Sequence, residues 1–511
     1  MKLTYGVKDR PKPGQIVLFA LQQLLAILAA TIAVPMIIGH GMQPAAALFG
    51  AGVGTIVYLL LTKFKSPVFL GSSFAFLGSM GAAFAGGVSM SLGYLGLLLG
   101  ALFGGLVYVI IAIVVKFAGT KWIDKIMPAI VIGPTVAIIG LSLAGNAIGD
   151  LMSGSVMKDV MDWTYKLTED GEMIFENGLP VTEFAKVGEV SLCSPFIALL
   201  CGLVTLGVTI VCSVYGKKLL KMIPFIIGIL SGYALAAIFT GFSYIKGAEC
   251  LRVIDFTPFT TLGHADVWYP DFSFLTAFNV HGGGYDAGKV GSIGAYIGTI
   301  AVAYIPVAFV VFAEHIADHK NISSIIETDL LKEPGLHRTL LGDGVGSIAG
   351  AFFGGCPNTT YGESVGCVAI SGNASIITIF VTAIMAILSA FLAPFTLFLA
   401  SIPKCVMGGV CIALYGFIAV SGLKMIQNVD LGENRNLFVV SVILIAGVGG
   451  MCLDFGSVKI TEVACALILG ILANLLVNIG RKKNQAAGVV AEKTAGEVEK
   501  EAAVAKEEEE E

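Results

Sequence analysis

The chain has 511 residues, of which 56% are hydrophobic and only 13% charged. Soluble domains average about 25% charged residues, so the apolar surplus exceeds what one aqueous core could bury, and lipid is its natural solvent. The formal net charge of −5 misleads, because much of the acid sits in the tail 481–511, which closes in Glu507 to Glu511. Like-charge runs of this kind are disordered, and the tail is expected outside the fold.

The segment 1–14 is basic, with Lys2, Lys8, Arg10 and Lys12. The apolar run that follows, Ile16 to Gly39, is too long for a signal-peptide core and reads as a retained first span. A span needs about 20 apolar residues. Fourteen candidates follow in chain order: 15–39, 44–62, 66–85, 91–117, 124–147, 193–214, 219–239, 293–318, 338–355, 357–371, 374–401, 404–426, 436–453 and 459–480. The third, ninth and tenth are short or weak.

Lysine and arginine should mark cytoplasmic loops. Lys63 and Lys65 follow span two, Lys116, Lys121 and Lys125 span four, and Lys217, Lys218 and Lys221 span six. Lys320, Lys332 and Arg338 follow span eight, Lys424 and Arg435 span twelve, and Arg481 to Lys483 span fourteen. This alternation fits fourteen spans with both termini cytoplasmic. The polar insertions 148–192 and 240–292 then lie outside as loops with local structure.

Fourteen spans suggest two halves of seven, the second inserted upside down, which is an inverted repeat. Irregular segments fall in matching places. Span three opens with Pro67 and runs through Leu70-Gly-Ser-Ser-Phe-Ala-Phe76, and span ten opens Pro357-Asn-Thr-Thr-Tyr-Gly-Glu363. Such stretches free backbone groups, which a membrane tolerates only where they are buried in protein or line a cavity. The binding site is therefore expected where the two meet.

Carboxylates within spans cost kilocalories unless paired or hydrated, which makes them functional candidates. Glu314 and Asp318, at i and i+4, share one face of span eight, while His315 points elsewhere. Glu314 is expected to bind substrate, and Asp318 to relay a proton or orient a partner. His315 and His319 read as membrane-interface residues, with Lys320 marking the water boundary. Glu363 starts a half-helix, where the helix N-terminus favours an anion. Gly362 before it permits an unusual backbone angle and close approach. Asp343, in span nine, reads as a direct participant or a partner of free backbone groups. Gln22, Gln23 and Thr31 of span one are expected in interhelical hydrogen bonds.

Carboxylates accept hydrogen bonds and free backbone N–H groups donate them. A planar ring with alternating N–H and C=O groups, such as uracil or xanthine, suits this set. Two carboxylates would also suit a metal cation, whereas an inorganic anion would be repelled by Glu314 and Glu363 unless they were protonated. The ten cysteines show no zinc spacing; they read as small core residues, with Cys193 and Cys250 the pair near loops where a disulfide is conceivable. No nucleotide loop, metal cluster or nucleophile constellation marks an enzyme.

At these residues the chain resembles the nucleobase–ascorbate transporter family, also called nucleobase:cation symporter family two, over about Gly14 to Arg481. The motifs that carry the resemblance are Leu70 to Phe76, Ala313-Glu-His-Ile-Ala-Asp-His319 with Leu331 to Arg338, and Pro357 to Glu363. The resemblance implies an all-α polytopic fold of fourteen segments in two inverted repeats, with short strands in spans three and ten. Spans one to four and eight to eleven, within 15–147 and 293–401, would form a core domain. Span five, spans six and seven (193–239) and spans twelve to fourteen (402–480) would form a gate. Glu314 and Glu363 would hydrogen-bond the base and couple protons with Asp318. The Phe74 and Gly362 N–H groups would hold its oxygens, with Ser73 and Tyr361 beside them. Gln22, Gln23, Thr31, Asp343 and Ser364 would support the site. The implied activity is proton-coupled uracil uptake by an elevator-like movement, in a homodimer of a bacterial plasma (inner) membrane. No cofactor beyond the proton and no nucleic acid is expected. Asp318 and Asp343 are similar to the purine-transporting branch, which keeps xanthine as the alternative; an anion exchanger or channel of related fold stands behind both.

Overall fold

The computed structural model describes residues 3–165, 175–176, 179–180, 182–217, 219–280, 282–427, 429–454 and 459–479. The predicted acidic tail, 481–511, lies outside the described residues. Two long helices open the chain, α1 (Pro13–Ile38) and α2 (Pro44–Leu61). Strand β1 (Leu70–Ser72), a short turn of helix and α3 (Leu77–Ala83) follow, then α4 (Met90–Ala118), α5 (Lys121–Ile126), α6 (Ala129–Ser142) and α7 (Ala144–Leu151). A hairpin of β2 (Met157–Tyr165) and β5 (Thr182–Ser191) encloses the small strands β3 (Phe175–Glu176) and β4 (Leu179–Pro180). Helices α8 (Pro195–Tyr215), α9 (Leu219–Met222), α10 (Pro224–Lys246) and α11 (Ser273–Ala277) lead to α12 (Ile293–Ile326) and α13 (Leu336–Gly354). Strand β6 (Asn358–Thr360) opens into α14 (Gly362–Ser371), followed by α15 (Ile376–Ser389), α16 (Ala393–Ser401), α17 (Lys404–Met425) and α18 (Asn434–Val448). The strands β7 (Leu453–Asp454) and β8 (Lys459–Ile460) precede α19 (Glu462–Val477).

Proline opens α1, α2, α8 and α10, where its missing N–H costs nothing. Gly355 and Gly372 end α13 and α14 in the left-handed conformation that a residue with a Cβ rarely adopts.

Eight helices among the described residues are long and apolar enough to cross a bilayer: α1, α2, α4, the continuous α6–α7, α8, α10, α12 and α17. The α15–α16 pair would add a ninth but is bent by 83°. The segment Phe74–Gly87, α18 and α19 are shorter apolar helices. Large apolar side chains such as Phe196, Val214, Ile238 and Ile245 stand exposed on α8 and α10, as lipid-facing positions do. The chain is a mostly helical multi-pass membrane protein.

Helix ends differ most from expectation in two places. Helix α10 runs to Lys246 rather than 239, and α12 to Ile326 rather than 318. Lys320 is exposed, but Ile322 and Ile326 beyond it are buried, so the apolar face of α12 continues past the charge. The same extension corrects the reading of His315 and His319 as interface residues: both are 0% exposed. Cys193 and Cys250 are free thiols, although Ser194 N–H donates to the Cys250 carbonyl at 2.8 Å. The N-terminal segment is tied down, with Ser375 Oγ donating to the Asp9 carbonyl at 2.6 Å and Ala374 N–H to Tyr5 O at 2.9 Å.

Helix α2 packs most extensively on α13, and the contact is made by glycine. A Cβ on Gly54 would stand 2.6 Å from the Gly346 carbonyl oxygen, and one on Gly346 would stand 2.7 Å from that of Gly54. In lipid, helix association rests on such close approach. Helices α6, α7, α8, α10, α17, α18 and α19 pack mainly among themselves, as do α1–α4 and α11–α15 with β1 and β6. Replacing Gly346 by Leu should force α2 and α13 apart, an overpacking cost of about 1–3 kcal/mol or more. A lowered melting temperature in detergent checks this, with Gly145→Leu, which meets nothing within 4 Å, as control.

Candidate functional site

The site begins with two strands of three residues each. β1 and β6 pair antiparallel, Leu70 opposite Thr360, Gly71 opposite Thr359 and Ser72 opposite Asn358. Ser73 N–H donates to the Pro357 carbonyl at 2.8 Å and Tyr361 N–H to that of Phe69 at 3.3 Å. Side chains from the surrounding helices satisfy much of what remains. Thr55 Oγ1 accepts from Leu70 N–H at 2.9 Å, Ser364 Oγ accepts from Phe69 N–H at 3.1 Å, and Asn358 Nδ2 donates to the Gly50 carbonyl at 3.2 Å. Tyr361 OH crosses the pair to donate to the Ser72 carbonyl at 2.9 Å. Its ring fills the space where Gly71 would carry a Cβ, so the crossing requires glycine there. Each strand runs directly into a helix, Phe74–Phe76 and α3 on one side, α14 on the other. Two helix starts, with their free N–H groups, therefore converge from opposite directions.

Beside them lies a cavity of about 280 Å³. Glu314 and Asp318 line it from α12, Glu363 and Gly362 from α14, and Tyr361 and Phe74 from the strand ends. Val136, Phe225 and Phe417 close the far side from α6, α10 and α17. One small chamber thus brings together three acids, two helix starts and aromatic walls. Phe74 also meets Tyr415 of α17 edge-on, with ring centroids 5.5 Å apart. Asp318 Oδ2 accepts from Thr360 Oγ1 at 2.8 Å.

Other predicted residues stand behind the cavity. Gln23 Nε2 donates to Ser364 Oγ at 2.6 Å, which joins α1 to the start of α14. Thr31 donates within its own helix to the Ile27 carbonyl at 2.9 Å. Gln22 Oε1 and Ser73 Oγ are buried without a protein partner. Gly362 is the first residue of α14 and has helical geometry, which corrects the expected unusual backbone angle. Its service is room: a Cβ there would find only Asp318 Oδ1, at 3.8 Å. Asp343 lines no part of the cavity. It bonds the ring of His315, with Nδ1 and Oδ2 2.7 Å apart, rather than free backbone. Sequence reasoning passed over Thr359, which lines the cavity and whose Oγ1 has no partner; its place in the Pro-Asn-Thr-Thr-Tyr-Gly run was the available signal. Among the described residues no group of His, Cys, Asp and Glu is arranged to hold a metal ion.

These features describe a multi-pass membrane protein with an acid-lined cavity between its helices. The permease-family model for xanthine and uracil permeases matches residues 14–169 and 181–455. The chain belongs to this family, the nucleobase–ascorbate transporters. It is 36% identical to the uracil permease of Bacillus caldolyticus over 482 residues, 93% of this chain and 95% of that one. It is 34% identical to that of Bacillus subtilis over 479 residues, 93% and 95% of the two chains. With the Escherichia coli uracil permease it shares 32% over 476 residues, 92% and 93%. Among solved structures, the transmembrane domain of the cyanobacterial bicarbonate transporter BicA matches with a TM-score of 0.50 at 13% identity, covering 93% of this chain and all of that one. The murine anion transporter Slc26a9 matches with a TM-score of 0.55 at 11% identity, over 93% of this chain and 70% of that one. These likenesses describe the fold. The family and its curated relatives are transporters, not enzymes.

Gln23→Leu removes the donor to Ser364 Oγ and leaves a buried hydroxyl that still serves Phe69 N–H. The loss should cost about 1–3 kcal/mol, read as a lower melting temperature, with Gln23→Asn recovering little because its side chain is one methylene shorter.

Proposed function

We propose that the chain carries out proton-coupled uptake of a nucleobase, uracil in the first place, across a bacterial plasma membrane. The observation that carries this reading is the meeting of Glu314 and Glu363 with the helix starts at Phe74 and Gly362 in one cavity of about 280 Å³. A uracil ring presents N–H donors and C=O acceptors in its plane. Glu314 and Glu363 accept from the ring N–H groups, and the N–H groups of Phe74 and Gly362 donate to its oxygens. Phe74 and Tyr361 pack on its apolar surface, with Ser73 behind. The names of the relatives, three of them uracil permeases, support this choice of base.

Coupling follows from the same acids. A low-dielectric cavity disfavours the charged form of a carboxyl group, and like charges crowded together oppose full ionisation. Protonation and substrate binding then bias one two-state movement. In this reading fourteen segments form two inverted repeats. The core carries β1, β6, α12 and α14, and it moves elevator-like against a gate formed by α6, α8, α10, α17, α18 and α19. The protein works as a homodimer with both termini cytoplasmic. The relatively independent packing of the two helix groups supports this division. Asp318, bonded to Thr360, relays the proton. A purine such as xanthine is the second reading, favoured by the acids at Asp318 and Asp343. Anion transport is opposed by Glu314, Asp318 and Glu363 where they are ionised, against Lys221, the single cation in the lining among the described residues.

Radiolabelled uracil uptake should be measured in cells lacking their own carrier, across external pH, with xanthine as competitor. Uptake should rise in acid, collapse with a protonophore and resist xanthine. Competition by xanthine without uracil uptake would move the assignment to purines. Glu314→Gln and Glu363→Gln each lose a charge-assisted hydrogen bond of about 1.5–3 kcal/mol, roughly 10- to 100-fold in affinity. Both should abolish uptake while the protein still inserts; normal pH-dependent uptake by both would defeat the site assignment.

A further inference from the structure

We infer that His315 and Asp343 form a buried, net-neutral pair sharing one proton, and that this pair is the positioning element that turns the acidic face of α12 into the cavity. The inference rests on the uracil-site reading and adds residues that line no part of that site.

Helix α12 is sorted by its own periodicity. Glu314 and Asp318 share the cavity face, and His315 and His319, one position on from each, share the buried face. The buried face is pinned at several points. His315 Nδ1 stands 2.7 Å from Asp343 Oδ2 and its Nε2 3.0 Å from Thr339 Oγ1, both on α13. His319 Nε2 stands 2.7 Å from the Tyr58 hydroxyl on α2, and its Nδ1 2.8 Å from the His315 carbonyl. The two imidazoles stack with centroids 3.9 Å apart. Any rotation of α12 that moved Glu314 would break these bonds.

Hydrogens are assigned as part of the proposal. We place the single Thr339 hydroxyl proton on the Leu336 carbonyl, 3.1 Å away, so that the hydroxyl accepts from His315 and Nε2 carries hydrogen. A neutral imidazole then offers only a lone pair at Nδ1, and a carboxylate offers only lone pairs. With Nε2 carrying hydrogen, the 2.7 Å contact places one shared proton between Nδ1 and Oδ2. Whether written as acid and imidazole or as carboxylate and imidazolium, the pair has no net charge. Asp343 Oδ1 is buried without a protein partner, which is less costly for the carbonyl oxygen of an acid than for a carboxylate. This selects the acid–imidazole form.

Neutrality serves the site. The titratable groups facing the pair are Tyr108 from α4, Tyr58 from α2, and Glu314, Asp318 and His319 from α12 itself. A charge on Asp343 would act on Tyr58, Tyr108, Glu314 and Asp318. The shared proton spares the acidic cavity a further negative neighbour.

The test uses the purified full chain. Calorimetric uracil binding in buffers of different ionisation enthalpy gives both Kd and the protons exchanged per uracil. Asp343→Ala and His315→Ala should each raise Kd roughly ten-fold or more. Asp343→Asn, whose amide N–H can donate to Nδ1, should return Kd to within about three-fold of wild type with the proton count unchanged. Wild-type Kd in the alanine variants, or an asparagine variant as weak as alanine, overturns the proposal. Should the alanine variants not fold, Thr339→Val removes the acceptor for Nε2–H at constant shape. It should weaken binding, Thr339→Ser should restore it, and an unchanged Kd in Thr339→Val overturns the proposal. In the ligand-free protein, the infrared C=O intensity of protonated carboxyls should fall in Asp343→Asn, and intensity unchanged from wild type overturns the acid–imidazole pair. If wild type binds no uracil, the site reading fails, and this intensity still decides the pair.

Discussion

A polypeptide that stops being helical inside a membrane must still pair its N–H and C=O groups, because lipid offers no partner. That constraint governs the centre of this protein. Two chain segments that could not be helical pair with each other as β1 and β6, three residues against three. Thr55, Ser364, Asn358 and Tyr361 close groups the ladder leaves open. Removal of any one of these side chains exposes backbone in the most expensive place available. The glycine-lined crossing of α2 and α13 belongs to the same solution, since Asn358 reaches Gly50 only because the two helices are in backbone contact.

The pairing also fixes where chemistry can happen. Antiparallel strands that each run on into a helix bring two helix starts to one spot, and a helix start is a region of unpaired donors with a positive dipole end. Glu363 sits in the first turn of α14, where that dipole favours its charge. Glu314 and Asp318 arrive from α12, which carries no such aid. Their positions depend instead on how α12 is rotated, and its rear face holds that rotation through His315 and His319. The two halves of the site are thus stabilised differently: one by backbone electrostatics, the other by side-chain bonds a helix-width away.

Much of this was legible in the sequence because prolines, glycines and intramembrane acids are costly and therefore informative. Pro67 and Pro357 marked the breaks, and Glu314 and Glu363 marked the cavity. What escaped was set by tertiary contact. Lys320 looked like the end of a span, yet the isoleucines after it carried α12 onward and buried His319. Periodicity placed His315 away from Glu314 correctly, but it could not say that α13 would offer Asp343 and Thr339 on that side. Gly362 suggests both an unusual backbone angle and a close approach; it is helical, and a Cβ there would meet only Asp318 Oδ1, at an ordinary contact distance of 3.8 Å.

Solved structures of similar fold include those of a bicarbonate transporter and an anion transporter. A fold shared at 11–13% identity cannot carry substrate choice, which rests on the residues that line the cavity. Helix starts alone attract anions. Adding Glu314, Asp318 and Glu363 beside them reverses that preference unless the ligand brings its own donors to the acids. A neutral ring with N–H groups on some edges and C=O groups on others meets both demands together, and an inorganic anion meets only one. In the proposed reading, the acids beside the converging helix starts therefore set the choice of ligand in this chain.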